Sequence, residues 1–357
     1  MKKIIVLAMI LVLTISGNCY GQATQYNLGG LNSPIPSDWF RTGRTSDVGT
    51  NWARTVDDLI GLSSGKGIAK IFYYDTNVTT EGNGTSWETA KDTMNEIVAL
   101  CTGGQAYIIL MAQGSNESLT LADAVDIDVA NMTLWGYGIG ANKPTFDFDA
   151  AAAEFVIGAT NTILNNLRFR VSSDTITTMI DVEAGSDFTI IQNCDFGFAE
   201  TETDEFVSGI TVNAATGTII RGNDFFAGAQ GTVNGIELTG ARQVVIEDNY
   251  LIGNYSTANI HGVSTLSTEV LIQYNTLWNG VESGLNTEPV IQLLTGTTAI
   301  SRWNTGVCNE TDAAAAFVGD GTFNFTNMYN ETVGGASTGW LIGVATNTGG
   351  SITVTVD

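Results

Sequence analysis

The sequence predicts an all-β chain that winds into a parallel β-helix solenoid, and three observations support this fold class. An asparagine recurs at nearly constant spacing through the second half of the chain. Short runs of Thr, Ile and Val alternate with turns that contain Gly and Asn, and one amphipathic segment precedes the first of these runs. The composition agrees, because 43% hydrophobic and 14% charged residues suit a large buried core.

The recurring unit is a polar corner that follows a short aliphatic run, as in VVIEDNYL at 244–251. Its asparagines are spaced by 26, 26, 29 and 26 residues: Asn223, Asn249, Asn275, Asn304 and Asn330. Cys194 and Leu167 extend the series toward the N-terminus, with aliphatic residues three positions earlier and large apolar residues two positions later. Units of this length are too short to fold alone, so each must stack on its neighbours.

The residue types favour β-coils over helical repeats, which would be rich in Leu, Ala, Glu and Lys. Three short strands and three turns fit each unit. In stacked coils, equivalent residues lie about 4.8 Å apart, so an asparagine amide at a turn donates to one coil and accepts from the other. We therefore expect the five asparagines of the series to form a buried structural ladder.

The amphipathic segment lies at 73–100 and reads YYDTNVTTEGNGTSWETAKDTMNEIVAL. Ser86 is placed to cap a helix. One helical face is then apolar and consists of Trp87, Ala90, Met94, Ile97, Val98 and Cys101. Such a helix would cover the open end of the coil stack, where strand edges and core are otherwise exposed. AYIILMAQG at 106–114 then begins the coils.

With these corners and the D-x-N…G-T-S-W-x-T-A stretch, the chain resembles the pectate-lyase-like superfamily. The resemblance covers about residues 130–335 by repeat and 73–100 by the opening segment. It implies a right-handed parallel β-helix with an N-terminal α-helical cap. The superfamily includes polysaccharide lyases, hydrolases and esterases. However, no lysine follows Lys143, and the Gly-His-Gly and Arg-Ile-Lys stretches of polygalacturonase-like hydrolases are missing. No catalytic constellation is recognisable, so enzymatic activity stays open.

The N-terminus has the pattern of a secretory signal peptide, with Lys2 and Lys3 before an apolar stretch at 4–15 and small residues after it. A retained membrane anchor is the alternative, although the stretch is short for a spanning helix. The predicted organisation is a signal peptide (1–21), a segment of unassigned role (22–70), a first strand with capping helix (71–105) and a β-helix with C-terminal cap (106–357). We expect a secreted, periplasmic or cell-surface protein with no membrane span in the mature chain.

Charge and reactive residues exclude several functions. The net charge of −23 argues against nucleic-acid binding, and it disfavours a polyanionic polysaccharide unless calcium bridges the two. A single histidine, His261, argues against a His-based metal site or a Ser-His-Asp triad. Three cysteines follow the signal peptide, and this odd number favours buried free thiols: Cys101, Cys194 and Cys308.

No metal or other cofactor is predicted. One acidic loop could hold calcium, with a solvated loop as the alternative reading. Its members alternate with other residues: Glu200, Glu202, Asp204 and Glu205.

One column of aromatic residues suggests a binding site. Tyr274, Trp303 and Tyr329 immediately precede three of the ladder asparagines. Stacked on successive coils, they could bind the flat faces of neutral sugars, or they could simply pack against one another at the turn. We therefore expect an exported β-helix with a carbohydrate-binding or surface role and a polysaccharide or cell-surface glycan as partner. The alternatives are a polysaccharide-degrading lyase or glycoside hydrolase, and a bacteriophage virion or tail protein. Oligomeric state is left open.

Overall fold

A computed structural model describes residues 70–173, 175–197, 205–228, 232–280, 289–294, 296–308, 317–319, 323–326 and 329–332. The predicted signal peptide, residues 22–69 and the predicted C-terminal cap after residue 335 lie outside these ranges. In the part described, the chain is an all-β parallel solenoid built from three sheets, here called A, B and C.

Sheet A has ten strands. They are β1 (Lys70–Tyr74), β2 (Tyr107–Met111), β5 (Met132–Gly136), β8 (Ile163–Asn165), β11 (Ile190–Gln192), β14 (Ile219–Arg221), β17 (Val245–Glu247), β20 (Val270–Gln273), β23 (Ala299–Arg302) and β26 (Phe323–Thr326).

Sheet B has nine strands. They are β3 (Asn116–Leu119), β6 (Thr145–Phe148), β9 (Arg168–Val171), β12 (Asp195–Gly197), β15 (Asp224–Ala227), β18 (Tyr250–Gly253), β21 (Thr276–Asn279), β24 (Thr305–Cys308) and β27 (Tyr329–Thr332).

Sheet C has eight strands. They are β4 (Val125–Ile127), β7 (Phe155–Ile157), β10 (Ile176–Val182), β13 (Phe206–Asn213), β16 (Asn234–Thr239), β19 (Ala258–Gly262), β22 (Ile291–Leu293) and β25 (Phe317–Gly319).

Successive strands from β2 onward belong to sheets A, B and C in turn, so each coil contributes one strand to each sheet, as the repeat predicts. Within a sheet the strands are parallel and in register, which places equivalent residues in columns along the solenoid. In sheet A, for example, Ile191 pairs with Ile220, which pairs with Ile246 and then Ile272. All four side chains are buried.

The interior is filled by such columns of apolar side chains. Phe169, Phe196 and Phe225 stack on successive coils, with ring centroids 5.0 Å and then 4.4 Å apart. Full burial of a large apolar side chain contributes roughly 1.5–3 kcal/mol. Because strands alternate inward and outward positions, the residues between these columns face solvent and carry the surface chemistry.

The asparagine ladder occupies the corner between sheets A and B. The amide oxygen of Asn249 accepts from the backbone N–H and the Nδ2 of Asn223, both at 3.0 Å. Asn275 repeats this geometry on Asn249 at 3.0 Å, and Asn304 repeats it on Asn275 at 2.9 Å. Each Nδ2 also donates to a carbonyl of the preceding coil, as that of Asn249 does to Ile220 at 2.9 Å. The buried polar corner is thus satisfied along the solenoid axis.

The last coil departs from the sequence alignment. Strand pairing places Tyr329 beside Thr305 and Asn330 beside Gly306. The register therefore does not continue the columns of Trp303 and Asn304 with these residues, and the expectation that it would is corrected. The reason is coil length: 24 residues separate paired positions here, two fewer than the alignment used.

The predicted helix is shorter than expected. Helix α1 spans Met94–Leu100 with Thr93 at its N-cap, whereas Ser86 precedes a separate 3-10 turn, Trp87–Thr89, and makes no cap hydrogen bond. Between them Lys91 bridges to Tyr74 of β1, and this extended pairing prevents one continuous helix. A second 3-10 turn spans Gly140–Asn142.

Helix α1 is tied to the first strands of the solenoid. Its Met94 N–H donates to Glu117 of β3 at 3.0 Å. Asn95 donates to the Ala124 carbonyl at 2.8 Å and accepts from the Asp126 N–H of β4 at 3.3 Å. Through these bonds the helix satisfies backbone groups at the edge of sheet C, which an end strand leaves unpaired.

The two described thiols, Cys101 and Cys194, are free and buried. Burial raises the pKa of each to about 12, so both stay protonated and unreactive. Among the residues described, none of the helices has the length and apolarity needed to cross a bilayer.

Candidate functional site

The corner that carries the ladder forces one residue per coil into left-handed backbone. This residue has φ between 54° and 61° on six coils: Asn166, Asn193, Gly222, Asp248, Tyr274 and Trp303. Gly, Asn and Asp adopt this conformation readily, whereas bulky residues adopt it at a cost in free energy. The two aromatic residues therefore stand where the backbone does not favour them, which is a common property of functional positions.

Tyr274 and Trp303 stack face to face. Their ring centroids lie 4.9 Å apart with planes inclined by 17°, a spacing that matches the coil rise. The Arg302 guanidinium carbon also lies 4.4 Å from the Trp303 centroid. Both rings are half exposed, at 49% and 38%. Because one face of each ring covers the other, this pair does not offer a sugar two side-by-side faces. The outer face of Tyr274 points toward the coil of exposed Asp248.

Three further aromatic side chains lie on the outward face of sheet B beside this corner. Tyr250 pairs with Thr276, and Phe226 pairs with Ile252, which pairs with Trp278. Phe226, Tyr250 and Trp278 are exposed. Together with Tyr274 and Trp303 they form what we call the aromatic surface: Phe226, Tyr250, Trp278, Tyr274 and Trp303.

The sequence contained a signal for the three residues that were missed. They lie one or three positions after a ladder asparagine, where the alternation of a strand predicts outward and therefore polar side chains. Large apolar residues at outward positions are informative because burial does not explain them.

Toward the N-terminal end, the outward face of sheet B becomes charged. Arg170 forms an ion pair with Asp147, and Lys143 Nζ lies 2.5 Å from Asp195. Asp224 pairs in register with both Asp195 and Tyr250. Burial, followed by the Asp195 charge, raises the pKa of Asp224. The aromatic surface thus borders carboxylates, which bind sugar hydroxyls well.

A different set of polar side chains follows one outward column of sheet C. We call it the polar row, and strand register places its members side by side: Asp126, Val156, Asp181, Thr211, Glu237, His261 and Gln292. Asn213 donates to Asp181 Oδ1 at 2.6 Å. Ser208 and Asn234 donate to Glu237 Oε2 at 2.8 Å and 2.9 Å.

The polar row perturbs its own titrating groups. Burial raises the pKa of Asp181 to about 6, and the charges of Glu183, Glu237 and Asp123 act in the same direction, against the Asn213 hydrogen bond. Burial lowers the pKa of His261, while Glu237 opposes this shift. Titrating groups perturbed by burial and by specific charges are common at functional sites.

The prediction of no metal site can be compared with one cluster. Among the described residues, Glu81, Asp92 and Glu96 bring carboxylate oxygens within 4.8 Å of one another. Lys91 forms an ion pair with Glu81 and lies 3.8 Å from Glu96, so a positive charge is already present there. Glu200, Glu202 and Asp204 of the predicted acidic loop lie outside the described residues.

The sequence matches no family model and none of the curated proteins. Solved structures do match. A pectate lyase, Pel9A, is 12% identical, covers 78% of this chain and 80% of its own, and has a TM-score of 0.42. The likeness is one of fold.

Two further structures agree. PfbA, a surface adhesin of Streptococcus pneumoniae, is 13% identical over 72% of this chain and 77% of its own, with a TM-score of 0.40. A rhamnogalacturonan lyase is 10% identical over 77% and 90%, with a TM-score of 0.36. At these identities and scores the match concerns the parallel β-solenoid only, and it assigns no activity, substrate or partner.

Proposed function

We propose that the protein binds a neutral glycan through the aromatic surface. The observation that carries this proposal is the Tyr274–Trp303 stack, because two exposed bulky residues occupy left-handed backbone at a turn where other coils have Asn, Gly or Asp. A packing role alone gives no reason to retain such residues at solvent-exposed, conformationally unfavourable positions.

The geometry favours stacking at one end of the pair. A sugar ring laid on the outer face of Tyr274 would contact the ring through its C–H groups. The exposed Asp248 carboxylate, at the same corner one coil earlier, would accept hydrogen bonds from its hydroxyls. Tyr250 and Trp278 lie one and three positions beyond the ladder asparagines of these two coils, so a longer chain would continue across the outward face of sheet B.

Charge supports a neutral ligand. The chain carries a net charge of −23, so a uronate polymer would be repelled at long range while a neutral chain would not. This preference separates the proposal from binding of acidic polysaccharide.

The proposal includes export and a capped solenoid. The N-terminal signal-peptide pattern supports a secreted, periplasmic or cell-surface location, where a glycan partner is accessible. The bonds that join helix α1 to β3 and β4 support a capping role at the end of a right-handed solenoid.

The test is a binding measurement on the mature chain with a panel of neutral oligosaccharides. Tyr274→Ala should weaken binding of a recognised glycan about tenfold, or about 1.4 kcal/mol. Phe188→Ala is the matched control, because Phe188 is also an exposed aromatic on left-handed backbone but lies at the corner between sheets C and A. Equal effects of the two substitutions, or no neutral glycan bound, would remove the proposal.

A further inference from the structure

We propose that the polar row of sheet C is a second site, at which Asp181 and Glu237 act as general acid and general base in the hydrolysis of a neutral glycoside with inversion of configuration. This activity goes beyond glycan binding and uses another face of the solenoid. It does not depend on the aromatic surface.

The separation of the two carboxylates fits this chemistry. Asp181 pairs with Thr211, which pairs with Glu237, so the two acids point outward from coils two steps apart. At the usual spacing of neighbouring strands, their Cα atoms lie about 9.6 Å apart. Inverting glycosidases hold their carboxyl groups about 6.5–9.5 Å apart, which leaves room for a water opposite the scissile bond. The small Thr211 side chain between them leaves this space open.

Glu237 is held in one orientation. Ser208 and Asn234 both donate to its Oε2, at 2.8 Å and 2.9 Å. Among the described residues neither donor uses Oε1, so this oxygen is the one that can accept the proton of a water. Asn234 is only 1% exposed, which fixes the amide and, through it, the carboxylate.

Asp181 is placed to carry the proton that the leaving group needs. Asn213 binds its Oδ1 at 2.6 Å, which leaves Oδ2 for the glycosidic oxygen. The groups that face it are acidic: Glu154, Glu183, Glu237 and Asp123. Burial and these charges raise its pKa to about 6, so the acid form is populated in mildly acidic solution.

Buried polar atoms without partners point to a missing ligand. In the described part of the chain, Asn234 Oδ1, His261 Nδ1 and Gln292 Oε1 are buried and accept or donate no hydrogen bond. Asn234 contacts Glu237 directly, and His261 and Gln292 follow Glu237 in the row. Buried polar groups are normally paired, so a hydroxyl-rich molecule at this row would satisfy them.

The same surface defines the substrate class. The described strands of sheet C contain no Lys or Arg, and burial lowers the pKa of His261, so no cation is available to hold a uronate carboxylate. A neutral sugar is the ligand that this environment accepts.

The step balances without a cofactor. Asp181 gives its proton to the glycosidic oxygen as the bond from that oxygen to the anomeric carbon breaks. A water attacks the anomeric carbon from the opposite side and loses a proton to Glu237. Proton exchange with solvent then restores both residues, and the net reaction is addition of one water across the glycosidic bond.

The experiment uses the full mature chain with hexaoses of β-1,3-glucan, β-1,4-glucan, β-1,4-xylan, β-1,4-mannan and α-1,4-glucan. Proton NMR of the anomeric region detects cleavage and the configuration of the first product. We expect one hexaose to be cleaved with inversion. Asp181→Asn and Glu237→Gln should each lower the rate at least about 100-fold. Asp126→Asn, in the same row but three coils before Thr211, should leave it unchanged.

A second variant separates loss of the base from loss of fold. Glu237→Ala should regain turnover in sodium azide and form a glycosyl azide, because azide needs no base; an unfolded variant would not. The proposal is overturned if no hexaose is cleaved, if the configuration is retained, or if Asp181→Asn is as active as the parent chain. Glycan binding that depends on Tyr274 would survive each of these outcomes, so the two proposals fail separately.

Discussion

Asn249 and Asn275 lie on adjacent coils and share one buried hydrogen bond, with Nδ2 of the first donating to Oδ1 of the second at 3.0 Å. The Asn249 N–H donates to the same oxygen at 3.0 Å. One amide therefore satisfies two donors on its neighbour, and this arrangement repeats at every step from Asn223 to Asn304. The corner is rigid because no member can be removed without leaving polar groups of the next coil unpaired.

The first prediction concerns this ladder. Asn249→Leu leaves the N–H and the amide of Asn223 without an acceptor and the Ile220 carbonyl without a donor. We expect the free energy of unfolding to fall by roughly 1–3 kcal/mol. Asn116→Leu, at an exposed position of β3, is the control and should change it little. An unaltered denaturation midpoint for Asn249→Leu would contradict a structural ladder.

The second prediction separates stability from binding at the corner. Trp303→Asn removes a bulky residue from left-handed backbone, where asparagine is favoured, but it also removes the stack on Tyr274. Since these effects oppose each other, the free energy of unfolding should change by less than about 1 kcal/mol. Binding of a recognised neutral glycan should weaken about tenfold. Calorimetry and denaturant titration of the same variant provide both values. A large loss of stability would show that the stack is mainly packing.

The third prediction concerns pH. Glu117 accepts hydrogen bonds from the Tyr74 hydroxyl at 2.9 Å and the Met94 N–H at 3.0 Å, and burial raises its pKa to about 7. The folded chain therefore holds a proton that the unfolded chain releases near the ordinary pKa of 4.5. Its contribution is complete below that value and is lost as the pH rises through about 7, a change of up to roughly 3 kcal/mol.

Glu117→Gln removes this titration while it keeps a hydrogen-bonding side chain of the same shape. The melting temperature of the parent chain should fall more steeply between pH 5 and pH 8 than that of the variant. Glu269→Gln, at an exposed position of the corner between sheets C and A, serves as the control. Parallel pH profiles for the parent chain and Glu117→Gln would count against a proton held at this site.

The fourth prediction concerns metal removal. Lys91 already supplies a positive charge to Glu81 and Glu96, the acidic group of the described residues with the closest carboxylates. We expect the melting temperature to be the same with and without EDTA. A fall that calcium reverses would show that an ion is part of the fold and would replace the prediction of no metal.

Some surface contacts differ from their sequence-based interpretation. Arg221 and Glu247 occupy equivalent positions on adjacent coils, as the repeat predicts. Arg221 nevertheless donates to Gln192 of the preceding coil, at 2.9 Å and 2.7 Å, while Glu247 accepts from Gln273 of the following coil at 2.8 Å. A column fixes which residues are neighbours, but long side chains choose between the neighbour above and the neighbour below.

The polar row was out of reach for the same kind of reason. Its members from Asp181 to Gln292 are 30, 26, 24 and 31 residues apart. Loops of different length separate sheets B and C, so an alignment at one period does not bring these residues together. Only the strand register does.

The sequence by itself determined the inward half of this protein. Burial restricts each inward position to a few residue types, so the columns of Ile and Phe and the ladder from Asn223 to Asn304 repeat visibly and predict a solenoid of three-stranded coils. Tertiary structure alone decided the outward half. Outward positions tolerate many residue types, and their partners depend on coil length and register, so the stacking of Tyr274 on Trp303, the ending of the columns before Tyr329 and Asn330, and the meeting of Asp181, Glu237 and His261 required the assembled coils.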